Sequence, residues 1–401
     1  MLMDILKMLL SEDEWNAFYE YKVSGGHLSF KEEEELKKYI ENKEYLFVAV
    51  YLNNGGFFSL PKAIKVNKSS ASKKRTVFVF SDKEMIIQKF IAWKLLDYDY
   101  LFGNNLYSFR RDMGVKKAIK GFVFHKGIKD MYSFKLDISD YFNSVNAEKL
   151  LPELKKVLAD NQRLYILIEA MLLEPLAIVD GNAVEIKKGI LAGSPLSGFM
   201  ANLYLNKLDK YFEDKGVLYA RYSDDIIFFA NSKEELDTYK ATVMRFLNEN
   251  DLAVNDNKVF ESKPYEEWTF LGFSFNNGVI DISDISKMKL KKKMRRKARA
   301  LLRWKKRKNA EPERAVRAYI NHFNKKLFNN NVNNEITWAR WYFPIINTAD
   351  GLKELDEYSQ QCIRYIATGK QNKGKYAFTY DEMKRLGYVT LVNSYYNFKN
   401  N

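Results

Sequence analysis

Two stretches decide the fold: MYSFKLDISDYF at 131–142 and LYARYSDDIIFFA at 218–230. In the first, Phe134, Leu136 and Ile138 alternate with Ser133, Lys135 and Asp137. A period of two marks a strand with one apolar and one polar face, so Asp137 is expected to end a half-buried strand on its polar side. In the second, two β-rich runs flank Asp224-Asp225, which predicts a hairpin carrying both carboxylates at its turn.

Asp is common in turns, so an isolated Asp-Asp pair says little. Three carboxylates converging from neighbouring strands say more. They cannot all stay ionised at close range without a cation, and hard oxygen ligands select magnesium, or manganese in its place. Ions held this way activate an attacking hydroxyl and stabilise a leaving pyrophosphate in nucleotidyl transfer.

Outward from these stretches the pattern turns helical. From Ser194 to Phe212, apolar residues at 196, 199, 200, 203, 204, 208 and 211 predict one helix with Ser194 as N-cap and Pro195 at its first position. KEELDTYKATVMRFLNEN (233–250) reads as an amphipathic helix and WTFLGFSF (268–275) as a short strand pair. Upstream, EMIIQKFIAWKLL (84–96) has helical spacing, and KSSASKKRTVFVF (68–80) passes from a basic loop into a β-rich run. Residues 1–60 form an N-terminal extension, helical at first, then strand-like through YLFVAVYL (45–52).

Composition excludes whole classes. With 46% apolar and 29% charged residues, 7 Pro and 19 Gly in 401, the chain is neither disordered nor fibrous. One cysteine and three histidines exclude a disulfide framework or a Cys-rich zinc site, and a reducing, cytoplasmic setting fits. MLMDILKMLL is broken by Asp4 and Lys7 and followed by Ser11 and Glu14 at capping-box spacing, so it reads as a helix start and not a signal peptide. No apolar run reaches the roughly 18 residues of a membrane span. The net charge of +14 is local: Lys287 to Lys308 holds fourteen basic residues and no acidic one, leaving 51 of each sign elsewhere. Within it Leu290, Met294, Ala298 and Leu301 predict one apolar stripe on an otherwise cationic helix.

In order and spacing these segments resemble the reverse transcriptases. FKLDISDYF is similar to their motif A, GILAGSPLSGFMANLYL (189–205) to motif B, RYSDD (221–225) to motif C, LAVNDNKV (252–259) to motif D and FLGF (270–273) to the primer grip. The resemblance implies an α+β right-hand polymerase of fingers, palm and thumb, with an antiparallel palm sheet and a helical C-terminal region. It divides the chain into the extension 1–60, fingers and palm 61–285, a basic helical thumb 286–345 and a C-terminal region 346–401. It makes Asp137, Asp224 and Asp225 metal ligands together with the carbonyl of Ile138, and Lys258 a general acid. Phe142 becomes a steric gate against ribonucleotides, while Lys73 and Arg75 become ligands of the triphosphate, with Arg110 a further template or nucleotide contact. Gly193 and Ser194 would lie beside the nascent base pair, although Ala192 stands where the family usually has Gln.

The tail from WARWYF (338–343) onward resembles that of the bacterial defence-associated, unknown-group reverse transcriptases, relatives of group II intron and retron enzymes. That implies an RNA-directed DNA polymerase in antiphage defence, working with a structured noncoding RNA, deoxynucleotides and a DNA product duplex, off the membrane and open to oligomerisation. The alternatives are a retron or group II intron-type enzyme, a template-independent DNA polymerase, or a non-catalytic RNA-binding scaffold. The Val-Thr-Gly triplet of retron enzymes is missing from Phe275 to Ile282. The basic segment is expected to grip a duplex through Lys291, Lys292, Lys293, Arg295 and Arg296. Packing is the expected role of Tyr388, Tyr395 and Tyr396.

Overall fold

The computed structural model describes residues 4–25, 28–67, 74–187, 189–328, 337–370 and 378–400. The chain divides into two compact units: the first runs to Pro264, and the second, apart from a short piece near residue 30, begins at Tyr265.

In the first unit, β1 (Lys62–Asn67) and β2 (Lys74–Val79) pair antiparallel. They are followed by β3 (Tyr132–Asp137), the hairpin β4 (Leu176–Val179) and β5 (Asn182–Glu185), the hairpin β6 (Tyr219–Tyr222) and β7 (Asp225–Ala230), and β8 (Phe260–Ser262). These make two four-stranded sheets, ordered β2-β1-β4-β5 and β6-β7-β3-β8, the second antiparallel throughout. β3 and β7 are its central strands, in register from Tyr132 opposite Ala230 to Asp137 opposite Asp225.

Central position overrides the half-buried reading of β3. The Lys233–Glu249 helix packs on β3 and β7, with Lys240 over the Phe134 ring. The Val115–Val123 helix brings Phe122 onto Phe229, the partner of Ser133, and so covers the other face. Ser133 and Asp137 are therefore buried, although the alternation places them on the polar side.

YLFVAVYL is not a strand. It forms the helix Tyr45–Asn53, burying Tyr45, Val48, Ala49 and Leu52 while Phe47, Val50 and Tyr51 stay exposed. That burial at 0, 3, 4 and 7 is helical, and a short continuous apolar run does not distinguish the two states. The Asp82–Leu95 helix matches its spacing and starts with a complete capping box, in which the Ser81 and Glu84 side chains each accept from the other's backbone N–H.

The helix expected from Ser194 is shorter and split. It begins at Ser197, ends at Tyr204 and resumes as Asn206–Asp214. Ser194 makes a turn instead, its hydroxyl accepting from Leu196 N at 3.2 Å. The Ser197 hydroxyl donates to the carbonyls of Ile190 and Leu191 at 2.6 and 2.7 Å, which folds the preceding loop back onto the helix start.

The second unit opens with β9 (Trp268–Phe270), β10 (Phe273–Asn276) and β11 (Val279–Ile282), an antiparallel sheet. Both turns, Leu271-Gly272 and Asn277-Gly278, have two residues at positive φ, the geometry that matches strand twist in tight hairpins. Helices follow, led by Asp284–Lys308 with Ser283 as N-cap and Asn309 in the left-handed region at its end. Its buried stripe is Leu290, Met294, Ala298 and Leu302, and Leu301 is only half-buried. The stripe follows steps of four, which drift round a helix by about 40° each, because both Pro312–Phe328 and Asp350–Thr368 pack on it. Tyr388 and Tyr395 are packing residues: their hydroxyls donate to Asp356 and to the Ile346 carbonyl. Tyr396 is 52% exposed. Among the described residues no helix is long and apolar enough to cross a membrane.

Candidate active site

Strand pairing brings the three aspartates together. Asp137 ends β3, Asp225 begins β7 directly opposite, and Asp224 occupies the β6–β7 turn. The turn closes through Ser223, at φ 60°, and is tied down by Ile138 N donating to Asp224 O at 3.0 Å. One carboxylate oxygen from each aspartate lies within 4.8 Å of the others.

The local charges show the strain of this arrangement. Burial, then the charges of Asp225 and Asp137, push the Asp224 carboxyl up to about 6. Lys258 Nζ donates to Asp137 Oδ1 at 2.5 Å, Asn255 Nδ2 to Asp137 Oδ2 at 3.4 Å, and Lys135 Nζ lies 4.0 Å from Asp225 Oδ1. Burial opposes the charge on Lys258, but its bond and attraction to Asp137 win and raise its pKa. A cluster of carboxylates on rigid strand ends, one pushed toward neutrality by its neighbours, is a donor set suited to a hard divalent cation.

Beneath the turn is a buried polar frame. Arg221 and Asp209 form an ion pair with both side chains at 0% exposure, and Tyr219 also donates to Asp209 at 2.8 Å. The same guanidinium donates to the carbonyls of Ser223 and Asn202. Ser223 N in turn donates to Ser108 Oγ at 2.8 Å, and Asn202 Nδ2 to Ser108 O at 2.8 Å. Arg221 and Ser223 lie within the RYSDD segment, but nothing in the sequence marks Asp209, Tyr219, Asn202 or Ser108 as their partners.

The other expected site residues separate into three groups. Phe142 lies on the short Tyr141–Ser144 helix that follows β3, its ring meeting Phe109 edge-on at 6.0 Å and Tyr141 at 5.7 Å. Ile190 N donates to Phe142 O at 2.9 Å, and a Cβ on Gly189 would lie 2.2 Å from that oxygen, so the 189–193 loop docks on the Phe142 backbone through a glycine. Gly193, at φ 109°, lies against β2, where a Cβ would meet Phe78 O at 2.9 Å. Ser194 is buried and donates to Gln88 Oε1 at 2.7 Å. Arg75 is exposed on β2, and Lys73 lies outside the described residues. Arg110 binds Asp99 through two nitrogens, at 2.7 and 2.9 Å, and lines a cavity with Phe109, Pro195 and Tyr222.

Among known proteins, the retron Ec83 reverse transcriptase of Escherichia coli is 26% identical over 146 residues, 34% of this chain and 45% of that protein. The match therefore spans less than half of the relative's length. Among solved structures, telomerase from Candida albicans with a fragment of telomeric RNA aligns at a TM-score of 0.46 and 11% identity, over 87% of this chain and 68% of that one. Apo telomerase from Candida tropicalis, truncated of its C-terminal domain, aligns at 0.45 and 15% identity, over 56% and 55%. Residues 66–275 match the family described as reverse transcriptase (RNA-dependent DNA polymerase). That span is just over half the chain and contains the whole acidic cluster with its frame, so the β6-β7-β3-β8 sheet is a polymerase palm and the chain belongs to the reverse transcriptase family.

Proposed function

We propose that the protein is an RNA-directed DNA polymerase that extends a DNA strand by metal-dependent nucleotidyl transfer. The observation that carries this reading is the convergence of Asp137, Asp224 and Asp225 within 4.8 Å at the paired ends of β3 and β7 and the adjoining turn. Asp137, Asp224 and Asp225, with the carbonyl of Ile138, would hold magnesium or manganese as a pair of ions, which supply Lewis-acid activation of the attacking hydroxyl and charge neutralisation on the leaving group. The 3′-oxygen forms a bond to the α-phosphorus of a deoxynucleoside triphosphate, the bond to the bridging oxygen breaks, and pyrophosphate leaves. Lys258, held protonated by Asp137, is the proton donor to that pyrophosphate. Phe142 excludes a ribose 2′-hydroxyl, and Arg75, with Lys73, receives the triphosphate.

The test is incorporation of labelled deoxynucleotides on an RNA template by the purified full-length protein. Equal incorporation by wild type and Asp224→Asn would overturn the assignment.

We further infer a noncoding RNA partner and a role in bacterial antiphage defence, supported by the likeness of the 338–401 tail to defence-associated enzymes. Phage plating on cells carrying wild type or Asp224→Asn tests it; equal plating counts against it. A retron-type enzyme is the second reading, favoured by the Escherichia coli relative despite the missing Val-Thr-Gly triplet. Sequencing the RNA that co-purifies separates the two.

A further inference from the structure

A fully buried glutamine interrupts the apolar face of the Asp82–Leu95 helix. Ile87, Phe90, Ile91 and Leu95 are buried there, and helical spacing puts position 88 in line with 91 and 95. Gln88 stands at that position with 0% exposure, although glutamine is mostly a surface residue. Its carbonyl oxygen is used: Ser194 Oγ donates to Oε1 at 2.7 Å. Its nitrogen is not. Nε2 is buried too, and among the described residues it has no hydrogen-bond partner. An unpaired buried donor destabilises the folded state, so an apolar side chain of similar length would serve this core better. What Gln88 supplies in exchange is a hold on the turn that ends the 189–194 loop.

The turn is built at close quarters. Ser194 N donates to Leu191 O at 2.9 Å, Leu196 N donates to Ser194 Oγ at 3.2 Å, and Phe78 N on β2 donates to Ala192 O at 2.7 Å. Gly193 lies so near β2 that a Cβ would come within 2.9 Å of Phe78 O. A serine hydroxyl has one hydrogen to give. In Ser194 it goes to Gln88, which orients the hydroxyl and fixes the turn that the same oxygen closes.

We propose that Gln88 is a positioning residue for the incoming deoxynucleotide: through Ser194 it holds the Gly193–Ser194 turn against β2, the strand that carries Arg75. The nucleotide then meets a turn already in place, and pre-organisation of this kind lowers the cost of binding. The inference rests on the polymerase reading and adds to it a side chain that belongs to neither the acidic cluster nor the Lys258 contact. Its effect falls on nucleotide binding, and not on the metal or on proton transfer.

The experiment measures single-nucleotide incorporation on an RNA template by the purified full-length protein, with melting temperature read alongside, for Gln88→Met, Ser194→Ala and the double variant. Methionine keeps an unbranched side chain of similar length and loses both halves of the amide. Ser194→Ala leaves Gln88 Oε1 unpaired as well, so it is expected to melt lower. The double variant removes both partners together, which should return the melting temperature to the wild-type value or above. KM for the deoxynucleotide is expected to rise about five- to tenfold in every variant, the scale of one hydrogen bond, while kcat and the magnesium requirement stay within about twofold of wild type. A stable double variant with a raised KM is a result that a packing role does not give. A wild-type KM in Gln88→Met or in the double variant overturns the proposal. So does a loss of kcat as large as the rise in KM, or single-variant rises that multiply in the double variant. Should Gln88→Met not fold, Ser194→Ala decides by itself, a wild-type KM again overturning the proposal. No incorporation by wild type sinks the polymerase reading and this one with it, whereas normal incorporation with KM unchanged in Gln88→Met sinks this one alone.

Discussion

The guanidinium of Arg221 and the carboxylate of Asp209 meet wholly out of water, with Nη2 2.5 Å from Oδ2, Nε 2.8 Å from Oδ1 and both side chains at 0% exposure. The pair lies directly under the acidic turn, because the same guanidinium donates to Ser223 O. Removing one partner of such a pair leaves an uncompensated buried charge, typically worth about 3–5 kcal/mol, whereas the intact pair itself contributes far less. Asp209→Asn is therefore expected to lower the stability of the first unit by about that amount in urea titration. Arg221→Lys, which keeps the charge but loses the fork, should still lose the tie to Ser223 and depress incorporation. A neutral effect of Asp209→Asn on both readouts would contradict the role given to this frame.

Asp224 gives the site a pH signature. Its folded-state pKa of about 6 lies above the ordinary carboxylate range, so the folded metal-free protein holds this proton more tightly than the unfolded chain does. The stabilisation from that proton is complete below the ordinary carboxylate pKa and is lost as pH rises through about 6. A divalent cation competes with the same proton. Magnesium is therefore expected to raise the melting temperature relative to chelator at pH 7.5, and to do so much less at pH 5. The difference should vanish in Asp224→Asn. A magnesium effect independent of pH would show that the cation binds elsewhere.

How much of this was legible beforehand depends on the range of the interaction. Strict alternation in SFKLDI and the β-rich runs around SDD place one carboxylate at a strand end and two at a hairpin turn, because strand periodicity is local and the turn is short. Asp209 and Arg221 are twelve residues apart on different elements, and nothing in their neighbourhoods says that they meet. The pairing of Arg110 with Asp99, eleven residues earlier, is of the same kind and is not written in the residues around either. The Tyr45–Asn53 helix and the burial of Leu302 over Leu301 were hidden for another reason, since the partners that choose the buried face lie far along the chain.

Lys258 Nζ donates to Asp137 Oδ1, so in the proposed mechanism it is both a reactant and a competitor for the metal site. Lys258→Ala removes the proposed proton donor, a role worth about 10²–10⁴-fold, so turnover should fall by at least the lower figure. It also frees an oxygen of Asp137 and removes a nearby positive charge, so the magnesium concentration giving half-maximal rate should fall as well. A structural defect would weaken both. Magnesium titrations of single-nucleotide incorporation by wild type and variant distinguish these outcomes, and a higher magnesium requirement in Lys258→Ala would count against the competition.

Phe142, the residue proposed as the sugar gate, is held from the side. Phe142 meets Phe109 edge-on at 6.0 Å, and Phe109, at φ 52°, rests against Gly198, where a Cβ would come within 2.7 Å of the ring. A non-glycine residue in the left-handed region is strained and persists when its surroundings fix it. Phe142→Val opens space for a 2′-hydroxyl and is expected to raise the efficiency of ribonucleotide use, relative to deoxynucleotide, by on the order of tenfold or more, the scale on which pocket volume controls selectivity. Gly198→Ala pushes the Phe109 ring away and so loosens its neighbour without touching Phe142. It should move the same ratio in the same direction by a smaller factor, while Phe109→Leu, which leaves Gly198 unobstructed, should fall between wild type and Phe142→Val. Single-nucleotide kinetics with matched ribo- and deoxynucleotides read all three, and an unchanged ratio in Phe142→Val would remove the gate from this position.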